Sequence, residues 1–319
     1  MISNLPHIPI YKFKFQLEAL EDMTLPVYKG SMFRGAFGTA FRKSVCVTKF
    51  KTCENCLLQS QCSYFKIFET EVPDNNLKIL KNVKKHPHPF VIHPNAGTKR
   101  KYVKGEIFEL GLTIFGSFIN QFPFFLFTII QMGKIGISYK RSPFEVLNAA
   151  NVISGDSQIV IYKNSAGKLN NNYNPLDIEK ELAVLPNKSS DIRIIFKTPF
   201  RVQNLSQIIY DPKEITFEVF FKTVVRRIML LSALFCNTDF DSFSKIELNS
   251  DVKENRLRLY QWQRYSNRQQ DKIEMNGFVG SIIFKGVSPE AVKLIKLASF
   301  MNIGKNTVFG LGEFDLEIL

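Results

Sequence analysis

IPIYKFKFQL, residues 8–17, followed by GSMFRGAFGTAFRKSV, residues 30–45, decides the fold. In the first stretch Tyr11, Phe13, Phe15 and Leu17 alternate with Lys12, Lys14 and Gln16. A period of two puts one set of side chains on each face of an extended chain, so this stretch predicts a half-buried strand. In the second, Met32, Phe33, Ala36, Phe37, Ala40 and Phe41 recur at helical spacing and leave Arg34, Arg42 and Lys43 to another face. Ser31 stands where a helix cap is expected. Gly35 and Gly38 each weaken the helix by roughly 1 kcal/mol relative to Ala, which points to close packing or a ligand at that surface.

Outward from this pair, Phe90–Ile92 predicts a short strand and Gly105–Phe115 a longer one. Phe118–Met132 predicts a buried helix, and Lys134–Tyr139 a return to the sheet. Strand, helix, strand, strand, helix, strand is the order of a ferredoxin-like unit. Residues 163–190, rich in Asn, Ser, Gly and Pro, predict a linker. The order then repeats, with strands at Asp191–Phe196, Leu257–Tyr265, Phe278–Phe284 and Phe309–Ile318, and helices at Ile215–Phe235 and Pro289–Phe300. The expected fold is α+β: two tandem ferredoxin-like (RRM-like) domains, 1–162 and 191–319, with a small Cys-rich metal-binding insertion at 46–68. Leu110–Gly133 lacks charge over a length that could span a bilayer, but Gly116, Ser117, Asn120, Gln121 and Pro123 interrupt it. No membrane segment is expected.

The insertion carries Cys46-x6-Cys53-x2-Cys56-x5-Cys62. Two thiolates separated by two residues chelate one ion from a tight turn, and two more complete a tetrahedral set. The intervening residues are too few and too polar to pack alone, so metal binding would offset their ordering entropy. Zinc is the simplest ion; the spacing does not separate it from an iron–sulfur cluster. An all-Cys set leaves no open coordination position, which makes the expected role structural. Four cysteines within 17 residues fit a reducing compartment, and the first residues, MISNLPHIPI, have no secretory pattern. A soluble cytoplasmic protein is expected. Cys236, at the end of an apolar helix, reads as a core residue.

Charge narrows the partners. Forty-two Lys and Arg against 29 Asp and Glu give +13, and the sequence pI is about 9.4. Such a chain attracts polyanions. The 45% hydrophobic content excludes general disorder. Lys78, Lys81, Lys84, Lys85, Lys99, Arg100, Lys101 and Lys104 form one basic stretch. Arg256, Arg258, Arg264, Arg268 and Lys272 form a second, with Trp262 and Tyr265 interleaved as stacking surfaces for bases. Alternation along a strand would line Arg256, Arg258 and Arg264 on one side. GKNTVFGLG, residues 304–312, joins the last helix to the last strand. Its glycines permit close backbone approach and amides turned toward phosphate, or simply a tight turn. It matches neither the P-loop nor the dinucleotide fingerprint.

Six segments occur in a meaningful order: LPVYKGSMFRGAFGTAFRKSVC from 25, CENCLLQSQCSYFKIFE from 53, GLTIFG from 111, WQRYSNRQ from 262, NGFVGSI from 276 and GKNTVFGLG from 304. Together they resemble the CRISPR precursor-crRNA processing endoribonucleases of the RAMP superfamily, in the branch with a four-cysteine insertion. The resemblance implies cleavage within each CRISPR repeat, needing no metal for catalysis, by attack of a ribose 2′-OH on the adjacent phosphorus. It also implies an RNA contact for Gly304, Lys305, Gly310 and Gly312. The partners implied are repeat RNA and its crRNA product, then CRISPR effector subunits, with the chain a monomer or homodimer. Family members often take the base from a histidine on or just after the first helix, with tyrosine and lysine nearby. Here that helix has none, and the histidines are His7, His86, His88 and His93. Either Tyr28, Arg34, Lys43 and Lys49 act on the scissile phosphate by electrostatics, or His86 or His88 is brought over from the basic segment, where an imidazole suits neutral pH. The other reading, prompted by the missing helix histidine, is a non-catalytic crRNA-binding RAMP subunit.

Overall fold

The computed structural model describes residues 5–50, 52–69, 86–94, 97–155, 157–236, 250–266 and 271–319. The chain divides into two compact units, one of Pro9–Leu176 and one of Asp177–Leu319 with the first residues of the chain.

In the first unit, β1 (Ile10–Ala19), α1 (Gly30–Val45), β2 (Phe90–Pro94), β3 (Ile107–Phe115), α2 (Phe122–Ile135) and β4 (Phe144–Ser154) follow in that order. The sheet runs β2–β3–β1–β4, all antiparallel, and β5 (Ser157–Lys163) and β6 (Lys168–Leu169) extend it past β4. This is the ferredoxin-like arrangement with an added hairpin. Phe13, Phe15 and Leu17 of β1 are buried, as alternation predicts, and Phe13 stacks on Phe122 of α2 at 4.0 Å. Phe37, Phe41, Phe90 and Phe125 close the core between α1, α2 and β2. Fully burying a side chain of this kind is worth about 1.5–3 kcal/mol, and these pairs are why so many phenylalanines occupy helical and strand periods. Phe68 packs over Gly38, where an added Cβ would stand at ordinary contact distance, 3.4 Å, from that ring.

Several local expectations change. Lys29, not Ser31, is the residue at the N-terminal boundary of α1, and it makes no side-chain cap. The strand expected at Lys134–Tyr139 is instead β4, ten residues further on. Gly136, at φ +84°, ends α2, and Ile137 and Ser142 bridge a turn before β4 begins. Residues 163–190 are not a bare linker, because β6, Asn174 and Leu176 belong to the first unit. Leu176 donates its N–H to Ile10 O, and Asn174 to the buried Asn151 side chain.

In the second unit α3 (Ile178–Ala183) precedes β7 (Ser190–Phe200), α4 (Phe217–Phe235), β8 (Val252–Asn255), β9 (Arg258–Ser266), β10 (Asp271–Val287), α5 (Pro289–Ser299) and β11 (Phe314–Ile318). The order β8–β10–β7–β11, with β9 also on β10, repeats the ferredoxin-like sheet with its second strand in two pieces. Thr216 caps α4 and Ser288 caps α5, each accepting a backbone N–H from three residues on. β10 is 17 residues long and pairs with β7 only from Phe278 onward. Its first half pairs with β9 alone, forming a ribbon beyond the sheet. Gly280, at φ +108°, lies where the second strand breaks; an added Cβ would meet Arg256 O at 2.4 Å.

Candidate nucleic-acid interface

In the first unit the chain entering α1 is tied to part of the basic stretch. Met23–Thr24 pairs with Lys101–Tyr102, Leu25 and Arg100 exchange hydrogen bonds, and Lys29 Nζ donates to Gly97 O at 2.8 Å. Lys29 is only 3% exposed, and burial, aided by Arg100, lowers its pKa. Exposed Arg100 and Lys101 are thereby held against the segment that leads into α1, in which Tyr28 is half-buried. Lys99 pairs with Glu106. Lys84 and Lys85 lie outside the described residues.

One turn into α1, Arg34 Nη2 lies 3.3 Å from His88 Nε2, across 54 residues of sequence. His88 Nδ1 lies 3.1 Å from Ile67 O. A carbonyl only accepts, so Nδ1 carries the hydrogen and Nε2 accepts from the guanidinium. The imidazole stacks on Phe90, and Arg34 covers the Phe68 ring at 5.0 Å, which fixes both groups. At His86, burial lowers the pKa, and Nδ1 has no hydrogen-bond partner among the described residues. Lys43 does not join the pair. Nine residues at 100° each place it on the opposite side of α1 from Arg34, about 13.5 Å along the axis, where it is exposed.

The four insertion cysteines are all part-exposed and free. Thr48 Oγ1 lies 3.9 Å from Cys46 Sγ and 3.8 Å from Cys56 Sγ, and Cys56 N–H closes a turn onto Cys53 O. Among the described residues no three Cys, His, Asp or Glu side chains converge to hold an ion. The donor chemistry of four thiols fits zinc, and no catalytic step passes through the cluster. Cys236 is part-buried at the end of α4, and burial pushes its thiol up to about 11.

In the second unit Arg256 and Arg258 line one groove of about 680 Å³ with Arg193, Ile195, Glu254, Leu257, Gly280 and Ser281. Arg256 pairs with Glu254, and Arg193 with Glu317 at 2.8 Å. Arg264 and Tyr265 lie on β9 opposite Ile273 and Lys272, and Arg268 is outside the described residues. Gly304, at φ +88°, and exposed Lys305 and Asn306 form the outer edge of the glycine-rich loop. Gly310 and Gly312 are buried and do not offer amides to a ligand, for their N–H groups donate to Thr307 O and Pro199 O. Gly312 is needed for space, since an added Cβ would stand 1.8 Å from Ile303 O. Arg227, 6% exposed, donates to Met301 O and Asn302 O and so anchors the start of this loop; burial lowers its pKa to about 9. Sequence reading passed over Lys29 and Arg227. Position 227 falls within the apolar period of α4, a cation where the pattern asks for a hydrophobe, and that was a readable signal.

A family model described as CRISPR-associated endoribonuclease Cas6 matches residues 194–314, and an AF_1859 N-terminal domain model matches residues 8–174. Residues 194–314 are a Cas6 domain. A Cas6 product complex superimposes with a TM-score of 0.57 at 15% identity, covering 97% of this chain and all of that one. Cas6 of Thermus thermophilus gives 0.50 at 13%, covering 98% and 99%. A chain of a partial Cas6-RT-Cas1–Cas2 complex gives 0.57 at 11%, covering 98% of this chain and 46% of that one. At these identities the likeness to solved Cas6 structures is one of fold. A protein of Archaeoglobus fulgidus described as uncharacterised is 26% identical over 165 residues, half of this chain and 54% of its own length. The chain thus matches about half the length of that relative. Among the described residues no helix is long and apolar enough to cross a membrane.

Proposed function

We propose that this chain cleaves precursor CRISPR RNA within its repeats, without a metal in catalysis, and keeps the processed crRNA bound. The Cas6 domain match over residues 194–314 supports the RNA-cleaving reading. The observation that carries the mechanism is the 3.3 Å contact between Arg34 and His88, which brings an imidazole to the first helix of a unit whose helix has none. His88 Nε2 takes the proton from a ribose 2′-OH, and the 2′-oxygen forms a bond to the adjacent phosphorus. Arg34, drawn from His88 to a non-bridging oxygen, stabilises the phosphorane charge. The P–O5′ bond then breaks, the departing oxygen gains a proton from Tyr28 or from solvent, and the products carry a 2′,3′-cyclic phosphate and a 5′-hydroxyl. Arg100, Lys101, Arg256, Arg258, Lys305 and the basic residues outside the described regions hold the transcript through its phosphates. Subunits of a CRISPR effector are the further partners proposed.

The test is incubation of purified protein with repeat-containing RNA in EDTA. Cutting at one phosphodiester with a cyclic phosphate end supports the proposal. Tight binding without cutting makes the chain a non-catalytic crRNA-binding subunit. We further propose that Cys46, Cys53, Cys56 and Cys62 draw together on one Zn²⁺ in a structural role. Metal analysis of the purified chain should find one zinc, lost in Cys53→Ser; iron with visible absorbance would mean an iron–sulfur cluster instead.

A further inference from the structure

The ribbon of β9 and β10 holds a small polar cavity that the mechanism above does not use. Tyr210, Gln261, Trp262, Gln263, Glu274, Met275 and Asn276 line it, and its volume is about 210 Å³. Gln261 stands opposite Asn276, and Gln263 opposite Glu274, so these four polar side chains share one face of the ribbon. Asn276 is only 4% exposed, yet its Nδ2 has no hydrogen-bond partner among the described residues. Arg201 holds the same side chain by its Oδ1, which fixes which end is oxygen and leaves the N–H₂ end seeking an acceptor. Buried donors without acceptors are rare in folded proteins, and one beside a cavity marks a place for a ligand atom. Glu274 adds an exposed carboxylate to the same lining. Asn306, at the outer edge of the glycine-rich loop, places Nδ2 3.9 Å from Met275 Sδ, so the cavity adjoins that loop.

From this lining we infer a pocket for a single unpaired guanine base of RNA. Sites for drug-sized ligands run to about 300–1,000 Å³, so this cavity takes one planar ring system and leaves sugar and phosphate outside. A carboxylate accepts two adjacent donors, and guanine is the base that presents N1–H beside N2–H₂ on its pairing edge. Its O6 is then the acceptor that Asn276 Nδ2 lacks. Tyr210, 56% exposed, supplies an aromatic surface at the rim. The inference rests on the proposed RNA-processing reading and adds to it a base that the C-terminal unit would select.

The probe is a short oligouridylate with one central guanine, compared by fluorescence anisotropy with versions carrying adenine, cytosine or hypoxanthine there. Guanine should bind about tenfold more tightly than the others, hypoxanthine included because it lacks the N2 amine. Glu274→Gln should abolish that preference while leaving plain oligouridylate affinity unchanged. Since Glu274 is exposed, this variant tests the pocket without risk to folding, and Asn276→Leu serves as a second probe whose fold is checked by circular dichroism. Equal affinities in the unaltered protein, or a guanine preference untouched by Glu274→Gln, overturn the inference. If repeat RNA goes uncut while the guanine preference appears, the cleavage reading fails and the pocket stands. Cutting without base preference removes the pocket alone.

Discussion

Replacing His88 by Gln separates chemistry from architecture. Gln can still accept from Arg34 and donate to the Ile67 carbonyl, but it cannot titrate. The Arg34–His88 contact, at 3.3 Å, is just beyond the usual hydrogen-bond range, so its loss costs the fold about 1 kcal/mol or less. A positioned general base contributes about 10²–10⁴-fold to rate, or about 3–5 kcal/mol of barrier. The rate effect therefore exceeds the stability effect severalfold. Single-turnover cleavage of repeat RNA in EDTA, with anisotropy for binding, reads both. We expect a rate at least about 100-fold lower in His88→Gln, with repeat affinity within about threefold of the parent. Arg34→Ala should also slow cleavage, and the double variant should fall near the slower single one, because the two groups act as a unit. A His88→Gln rate within about threefold of the parent would refute the assignment.

Three further outcomes are expected. Lys43→Ala, on the far side of α1 from Arg34, should leave the single-turnover rate unchanged and at most lower the salt slope of RNA binding by about one; a tenfold slower rate would place Lys43 in the reaction. Arg227→Leu leaves the Met301 and Asn302 carbonyls without that donor, which should cost roughly 3 kcal/mol and lower the melting temperature by roughly 6–12 °C in scanning fluorimetry. For His86 the folded pKa lies below the unfolded value because burial disfavours the cation. The unfolded chain therefore binds the proton first, and this residue weakens the fold progressively as pH falls below about 6.5. His86→Gln should be less acid-sensitive in denaturant midpoints taken from neutral pH downward, and an unchanged acid profile would count against the burial argument.

Much of the architecture was written in periodicity. The alternation of β1 and the helical spacing of α1, α4 and α5 rest on burial of one face, and the structure keeps those faces inside. β4 escaped because both its faces are largely covered: Ala149, Ala150, Asn151 and Val152 are successive buried residues, and a strand without an exposed face does not alternate. The break between β8 and β9 was equally silent, since it depends on how closely the Arg256 backbone approaches Gly280. At the site, residue types were legible and their meeting was not. His88 reaches Arg34 through the packing of Phe68 and Phe90 against α1, a contact between segments far apart in sequence. Burial of Lys29 and Asn276 likewise depends on neighbours distant along the chain.

The hydrogen bond from Leu176 to Ile10 has a consequence for the protein's ancestry and engineering. It brings the two ends of the N-terminal unit side by side, so that unit begins and finishes at one point of its surface. A module built this way can be lifted out, or joined to a different neighbour, without rerouting its path. Separate family descriptions covering 8–174 and 194–314 are what such a detachable cassette would leave behind.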